Sequence, residues 1–270
     1  MKFLTSLLVF AFFASRLSAT VWVDDFSGAT LATTNFNTPT TSGNLLFQAN
    51  GAQSRVEITS SGALAGASHN SHWDHQQTIA YNSAWVFAAD VFSANASVFG
   101  LFGSGDIIDL SLNVVSSLDA SDRAQFNFVT GNPFGSVIHG ARFAKRTNDT
   151  DYDQVIDGAL GTGPLAGSIS MQFNPNTNII AAFYNFGSGS TLLGTTNISD
   201  WNMTSGSFSF FIESAATNIN PPDDNVIGAI SIPAGSLYLD SVILATPEPS
   251  RAVLLIAGAF TMLLRRRRNA

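Results

Sequence analysis

The feature that most limits what this chain can fold into is a two-residue alternation that recurs in short runs. Ile108-Asp109-Leu110-Ser111-Leu112-Asn113-Val114 alternates apolar and polar side chains without a break. Gln125-Phe126-Asn127-Phe128, Ser207-Phe208-Ser209-Phe210 and Arg55-Val56-Glu57-Ile58-Thr59 do the same. A period of two puts successive side chains on opposite faces of a strand, so each run predicts one core face and one wet face. Residues 84–92 (AWVFAADVF) and 179–186 (IIAAFYNF) are nearly continuous apolar runs and predict strands buried on both sides. Turn signals such as Gly131-Asn132-Pro133, Asn174-Pro175-Asn176 and Pro221-Pro222-Asp223-Asp224 stand between the runs. No amphipathic helix is found from Thr20 onward. About twelve to fourteen strands at this spacing predict an all-β fold, a two-sheet jelly-roll sandwich.

Charge separates the chain into a body and two ends. Seven of the 12 basic residues lie in the end segments, but 18 of the 19 acids lie in the body, which therefore carries a formal charge of −13. A body this acidic does not hold nucleic acid through phosphate neutralisation. It suits divalent cations or plain solubility. The chain has no cysteine, which excludes disulfides, thiolate metal sites and Cys nucleophiles. The fold must stand on its core alone.

The ends read as addresses. Residues 1–19 have a positive start at Lys2, an apolar run over 3–14 and the small residue Ala19 before the expected cut. That is the pattern of a secretion signal, so the secretion machinery and signal peptidase are the first expected partners. At the other end, Pro247-Glu248-Pro249 precedes thirteen uncharged residues (252–264) and then Arg265, Arg266, Arg267 and Arg268. Thirteen residues rise only about 20 Å as a helix, short for a bilayer core of about 30 Å. Snorkelling by Arg265 extends the reach. The Arg cluster would stay cytoplasmic and the body would lie outside. These residues resemble the PEP-CTERM family of sorting signals. The resemblance implies a transient transmembrane helix, processing at Pro247-Glu248-Pro249 by an exosortase-type membrane peptidase, and a bacterial host that makes an extracellular polysaccharide matrix. The expected division is a signal peptide over 1–19, a β-sandwich over 20–245 and a sorting tail over 246–270. The expected destination is the inner membrane as a tethered intermediate, then the cell surface or beyond.

Val23-Asp24-Asp25-Phe26 near the start of the body and Leu237-Tyr238-Leu239-Asp240-Ser241-Val242 near its end resemble the first and last strands of laminin-G/concanavalin-like jelly-roll domains. The resemblance implies that these two strands pair in one sheet. It supports a fold and no activity.

Three groups of residues carry candidate chemistry. Asp149, Asp151, Asp153 and Asp157 can turn several carboxylates toward one hard cation, which makes calcium the candidate cofactor. Gln154 and Leu160 stand where an EF-hand needs Gly and Glu, so the stretch is read as an acidic loop of another kind. His69, His72 and His75 fall at a spacing of three. That aligns imidazoles only on a helix, and Gly66, Ser68 and Asn70 argue for a loop with Trp73 tucked down. Trp73, Tyr81, Tyr152 and Trp201 lie in or near expected loops and are candidate stacking platforms for sugar rings, whereas Trp22 and Trp85 are expected in the core. No catalytic motif is found: the E-x-D-x-x-E strand of jelly-roll glycosidases and the Gly-x-Ser-x-Gly elbow are both absent, and Glu57 and Glu213 are the only Glu residues in the body. The sequence therefore predicts an exported structural or adhesive protein. A polysaccharide-binding module, helped by calcium, is the alternative, and a glycoside hydrolase or lyase the third.

Overall fold

A computed structural model describes residues 20–246, apart from 29, 134, 149–150, 188 and 221–223; for residues 151–159 it describes the backbone alone. The expected signal peptide and the sorting residues Pro247, Glu248, Pro249 and Arg265 to Arg268 lie outside the described residues. Among the described residues no helix is long and apolar enough to cross a membrane.

Seventeen strands follow one another, interrupted among the described residues only by short 3₁₀ turns at Ala96–Phe99 and Ser199–Trp201. They are β1 (Thr20–Asp24), β2 (Thr40–Ser42), β3 (Leu45–Asn50), β4 (Arg55–Ser60), β5 (His69–Ala80) and β6 (Trp85–Ser93). Then come β7 (Gly100–Leu101), β8 (Asp106–Ser116), β9 (Arg123–Gly131), β10 (Ile138–Thr147), β11 (Asp151–Gly161) and β12 (Leu165–Asn174). The chain closes with β13 (Ile179–Asn185), β14 (Thr191–Asn197), β15 (Ser207–Asn218), β16 (Ala229–Ile230) and β17 (Leu237–Thr246).

An eight-stranded sheet runs β14-β13-β12-β6-β17-β4-β3, with β1 beside β17. A seven-stranded sheet runs β11-β10-β9-β8-β15-β5-β2. The pairing of first and last long strands is as the jelly-roll resemblance implies: β1 lies antiparallel to β17 with Thr20 opposite Thr246. Both chain ends therefore leave the sandwich from one place.

The two sheets close over an aromatic core. Trp73 of β5 lies 4.2 Å from the ring of Phe36, 5.5 Å from Phe26 and 5.6 Å from Phe47 of the opposite sheet. Trp85 of β6 meets Phe208 and Phe210 of β15 edge-on, at 5.5 and 5.2 Å. Trp85 is in the core as expected, whereas Trp22 is half-buried at its margin. The near-continuous apolar runs are not sandwiched on both sides. In β6, Trp85, Phe87, Ala89 and Val91 point inward, while Val86, Ala88, Asp90 and Phe92 keep partial exposure. No further layer covers β6 on that side, so those positions keep contact with water.

Two expected loops are strands. Residues 69–75 open β5, with His69, Ser71, Trp73 and His75 buried and Asn70 and Asp74 exposed. The alternation is regular, but its inward positions hold His and Ser as well as Trp. Asp151–Gly161 is β11, hydrogen-bonded to β10 with Thr147 opposite Asp151, Lys145 opposite Asp153 and Ala141 opposite Asp157. The turn that returns the chain uses Asn148 at φ 50°, a left-handed position that Asn tolerates.

A buried carboxylate ties the loops at one end of β8. Asp106, with no exposed surface, accepts hydrogen bonds from the N–H of Gly103 (2.8 Å), Ile227 (3.0 Å) and Gly228 (2.6 Å) and from Asn218 Nδ2 (2.8 Å). Gly228 must be glycine here, because a Cβ would come within 2.2 Å of the Leu101 carbonyl.

Candidate functional site

The polar positions of the alternating strands in the seven-stranded sheet form one array on its outer face. Strand register aligns His72 with Glu213, Glu213 with Ser111, Ser111 with Asn127 and Asn127 with Arg142 across β5, β15, β8, β9 and β10. The next row carries Asp74, Phe211, Asn113 and Gln125. The sequence predicts a wet face here. Instead Ser111 is 2 % exposed, Asn113 0 %, Gln125 7 % and Asn127 2 %.

Buried polar groups must find partners or lose the hydration they gave up. These find one another in a single direction. Arg123 donates to the Gln125 side-chain oxygen; Gln125 Nε2 donates to Asn127 Oδ1 (2.8 Å); Asn127 Nδ2 donates to Asp109 Oδ2 (3.1 Å). A guanidinium at one end can only donate and a carboxylate at the other accepts, so both amides are held in one orientation. The N–H of Ala215 donates to the other Asp109 oxygen at 3.1 Å. Arg123 also stands 3.7 Å from Glu213.

Asp109 and Glu213 occupy diagonal positions on adjacent strands, since Asp109 opposes Ala215. Burial, and then the neighbouring charge of Glu213, push the Asp109 carboxyl up to about 7; the bonds from Ala215 and Asn127 and the charge of Arg142 pull the other way. Asn113 adds an unmet need. Its Nδ2 donates to Ser111 Oγ at 2.8 Å, but its buried Oδ1 accepts nothing among the described residues. At the margin of the array His72 bonds Asp74 at 2.8 Å and lies 4.2 Å from the ring of Phe211. The groups that reach the surface are Arg123, Glu213 and His72, set in place by the buried amides beneath them, and charged and imidazole groups so placed can hydrogen-bond a ligand rich in hydroxyl groups.

The sequence-predicted residues are distributed elsewhere. The three His do not converge, because β5 sends His69 and His75 to its core face and His72 to the other. His69 Nδ1 accepts from the Asn44 N–H and its Nε2 donates to the Leu64 carbonyl, both at 3.0 Å. His75 is edge-on to Phe36. Trp73 and Trp201 are buried, and their indole N–H groups are spent on the carbonyls of Asn37 (2.7 Å) and Arg146 (3.1 Å), so neither offers a ring to a sugar. Tyr152 opposes Arg146 in register, and its side chain lies outside the described residues. Tyr81 lines a cavity at the junction of the two sheets. That cavity holds about 200 Å³. Asp149 and the side chains of Asp151, Asp153 and Asp157 lie outside the described residues, and among the described residues no cluster of three metal-ligating side chains occurs. Asp151, Asp153 and Asp157 stand in strand β11, where a loop was expected.

Glu57, the other Glu of the body, is committed to structure. Burial alone would raise its pKa; hydrogen bonds from Asn50 (2.7 Å) and Arg55 outweigh this and hold it below the usual carboxylate range. The outer-face array was missed in the sequence because each member is an ordinary strand residue. One signal was there: the polar positions hold Ser, Asn and Gln, where a solvated face would favour Lys and Glu.

No family model and no curated protein matches the chain. Solved structures do. Peanut lectin, in complex with a nine-residue peptide, superposes with a TM-score of 0.53 at 8 % identity, covering 85 % of this chain and 98 % of the lectin. A glycoside hydrolase family protein from Mycobacterium thermorestibile gives 0.55 at 11 % identity, covering 83 % of this chain and 99 % of its own. A protein of Mycobacterium tuberculosis described as an immunostimulatory antigen and pseudo β-1,3-glucanase gives 0.53 at 11 %, covering 84 % and 98 %. The chain therefore has the two-sheet, lectin-like jelly-roll fold.

Proposed function

We propose that this chain is an exported polysaccharide-binding module that takes its ligand on the outer face of the seven-stranded sheet. The observation that carries the proposal is the oriented relay from Arg123 to Asp109, whose half-buried ends stand at the surface with Glu213 and His72. Sugar hydroxyls are donors and acceptors at once, and suit such a surface. Likeness in fold to lectins and to a pseudo-glucanase adds weight and replaces the structural or adhesive role as the leading function. Delivery follows the end segments: export by the signal over 1–19, tethering by the apolar tail, and processing by an exosortase-type peptidase at Pro247-Glu248-Pro249. Binding, not hydrolysis, is the proposed activity. Asp109 is engaged on both oxygens and Glu213 stands beside Arg123, so neither is disposed toward a glycosidic oxygen. Calcium enters only through Asp149, Asp151, Asp153 and Asp157, and a melting temperature unmoved by calcium and by chelator would remove it.

Affinity electrophoresis of the purified full-length chain through gels cast with neutral or uronate-rich polysaccharides tests the proposal. At least one polymer should retard the protein, and Asn127→Ala should abolish the retardation. Equal mobility in every gel would overturn it, and release of reducing ends from the retarding polymer would revive the enzyme.

A further inference from the structure

The cavity behind Tyr81 lies apart from the outer-face array and serves none of its contacts. Its lining is Tyr81 just after β5, Phe173 of β12, Asn178 of the following turn, Ile198, Ser199, Asn202, Met203, Thr204 and Phe208 of β15. Phe173 and Phe208 come from opposite sheets, meet edge-on at 4.9 Å and are buried behind the cavity, so the apolar surface it presents is that of the half-buried Tyr81 and Met203 packed against them. One wall is the turn carrying Ser199, Asn202, Met203 and Thr204. That turn is anchored from beneath: Lys145 Nζ donates to Asp200 Oδ2 at 2.7 Å, Thr147 Oγ1 to the same oxygen at 2.9 Å, and Trp201 Nε1 to the Arg146 carbonyl.

The polar atoms at the mouth have unspent capacity. Asn178 and Asn202 give their side-chain N–H groups to Ser199 Oγ (3.4 Å) and the Asp200 carbonyl (3.0 Å), which leaves their Oδ1 atoms without a donor among the described residues. The hydroxyls of Tyr81 and Thr204 make no hydrogen bond among the described residues. No Asp, Glu, Lys, Arg or His lines the cavity. A site with the apolar sides of Tyr81 and Met203, free amide and hydroxyl oxygens and no charge selects a neutral molecule with one apolar face and several hydroxyls. At about 200 Å³ it takes one ring. Sites for larger ligands run to about 300–1,000 Å³.

We infer that this cavity is a second carbohydrate subsite, which takes a single neutral sugar residue against Tyr81 and Met203 and hydrogen-bonds it through the hydroxyls of Tyr81 and Thr204 and the amide oxygens of Asn178 and Asn202. The inference deepens the polysaccharide-binding proposal but stands on separate residues. A chain lying on the sheet face is held along its length, whereas this cavity holds one unit, a terminus or a branch.

Calorimetric titration of the full-length protein with D-glucose, D-galactose, D-mannose and N-acetyl-D-glucosamine, each alone, tests it. One of them should bind saturably. Tyr81→Phe removes only a hydroxyl and should weaken that binding roughly five- to tenfold, as the loss of one hydrogen bond to a ligand implies. Met203→Trp fills the space and should abolish it. Asn178 and Asn202 are poor test positions, because both hold left-handed φ angles of 54° and 51° and their replacement would strain the turn. Glu213→Gln separates the two sites. Monosaccharide binding lost in Met203→Trp and kept in Glu213→Gln supports the cavity. Binding lost in Glu213→Gln and kept in Met203→Trp overturns the cavity and leaves the sheet-face proposal standing. If none of the four sugars binds, the cavity is overturned, and polysaccharide retardation decides the sheet face independently.

Discussion

The two faces of the seven-stranded sheet are made by the same strands and each is buried at its middle, yet they are built from opposite chemistry. Leu110, Leu112, Val114, Phe126, Phe128 and Phe210 fill one face; Ser111, Asn113, Gln125 and Asn127 sit between them on the other. The first face needs only shape, since dispersion and the removal of apolar area from water reward any close fit. The second must satisfy each donor and acceptor by name, and does so with one directed relay. A protein that needed only a stable sheet would leave that face wet. Concealing amides there costs free energy that their relay only partly recovers, since Asn113 Oδ1 accepts nothing among the described residues.

Removing Trp73 is the largest expected break in this comparison. It lies among Phe26, Phe36 and Phe47, so Trp73→Ala opens a cavity between the sheets. The expected loss is about 3–5 kcal/mol of unfolding free energy, measured by denaturant titration. On the opposite face Asn127→Ala removes little volume but leaves the Gln125 donor and an Asp109 oxygen unmet. It should cost about 1–3 kcal/mol. If the two losses were reversed, the outer face would be the structural one and the case for a binding surface would fail.

The faces also titrate in opposite directions. On the outer face Asp109 is held up at about 7, so between its ordinary value near 3.8 and 7 the folded protein keeps a proton that the unfolded chain has released. Its contribution to stability is present in acid and is lost as pH rises toward 7. On the core face burial holds His75 down at about 4, against a backbone hydrogen bond at Gln77 and the charge of Asp24. Its contribution is present above the ordinary imidazole value near 6.5 and is lost as pH falls toward 4. In the wild type the two slopes oppose each other across this window. Asp109→Asn should leave a stability that climbs with pH from about 4 to 6.5, and His75→Gln one that declines toward 7, each by roughly 1 kcal/mol per pH unit. Urea midpoints at half-unit pH steps measure both. Two variants with parallel profiles would show that neither group titrates as its surroundings dictate.

The alternating runs made the strands and the core face legible, because a two-residue period with Phe, Leu and Val at every second place has one reading. Strand β5 was not legible. Its inward positions carry His69, Ser71 and His75, and only the folded partners (Asn44, Leu64 and Phe36) show why polar rings can face a core. The outer-face site hid for a related reason: Asn113, Gln125, Asp109 and Glu213 come from three strands, and only register brings them together. Trp201 misled in the other direction. It stands beside Asn202 and Asp200 in a polar stretch, but its indole is drawn inward by the Arg146 carbonyl.

The smallest expected effect on stability is also the most informative about function. Arg123 begins the relay, but its side chain is 25 % exposed and it stands 3.7 Å from a Glu213 that is 21 % exposed. Ion pairs this open contribute about 1 kcal/mol or less. Arg123→Met keeps most of the packing volume, so denaturation should detect a loss no larger than that. Binding should respond differently. Without the guanidinium, nothing forces Gln125 to present its oxygen to residue 123 and its N–H to Asn127, and either amide can turn over. A surface whose amides turn over no longer offers a ligand one fixed pattern of donors and acceptors. Polysaccharide retardation should therefore fall several-fold in a variant that melts almost where the wild type does. If retardation instead tracks stability across Arg123→Met, Asn127→Ala and Trp73→Ala, the outer face only supports the sheet. If it follows the relay alone, the two faces do separate work, with the core holding the strands and the amides reading the ligand.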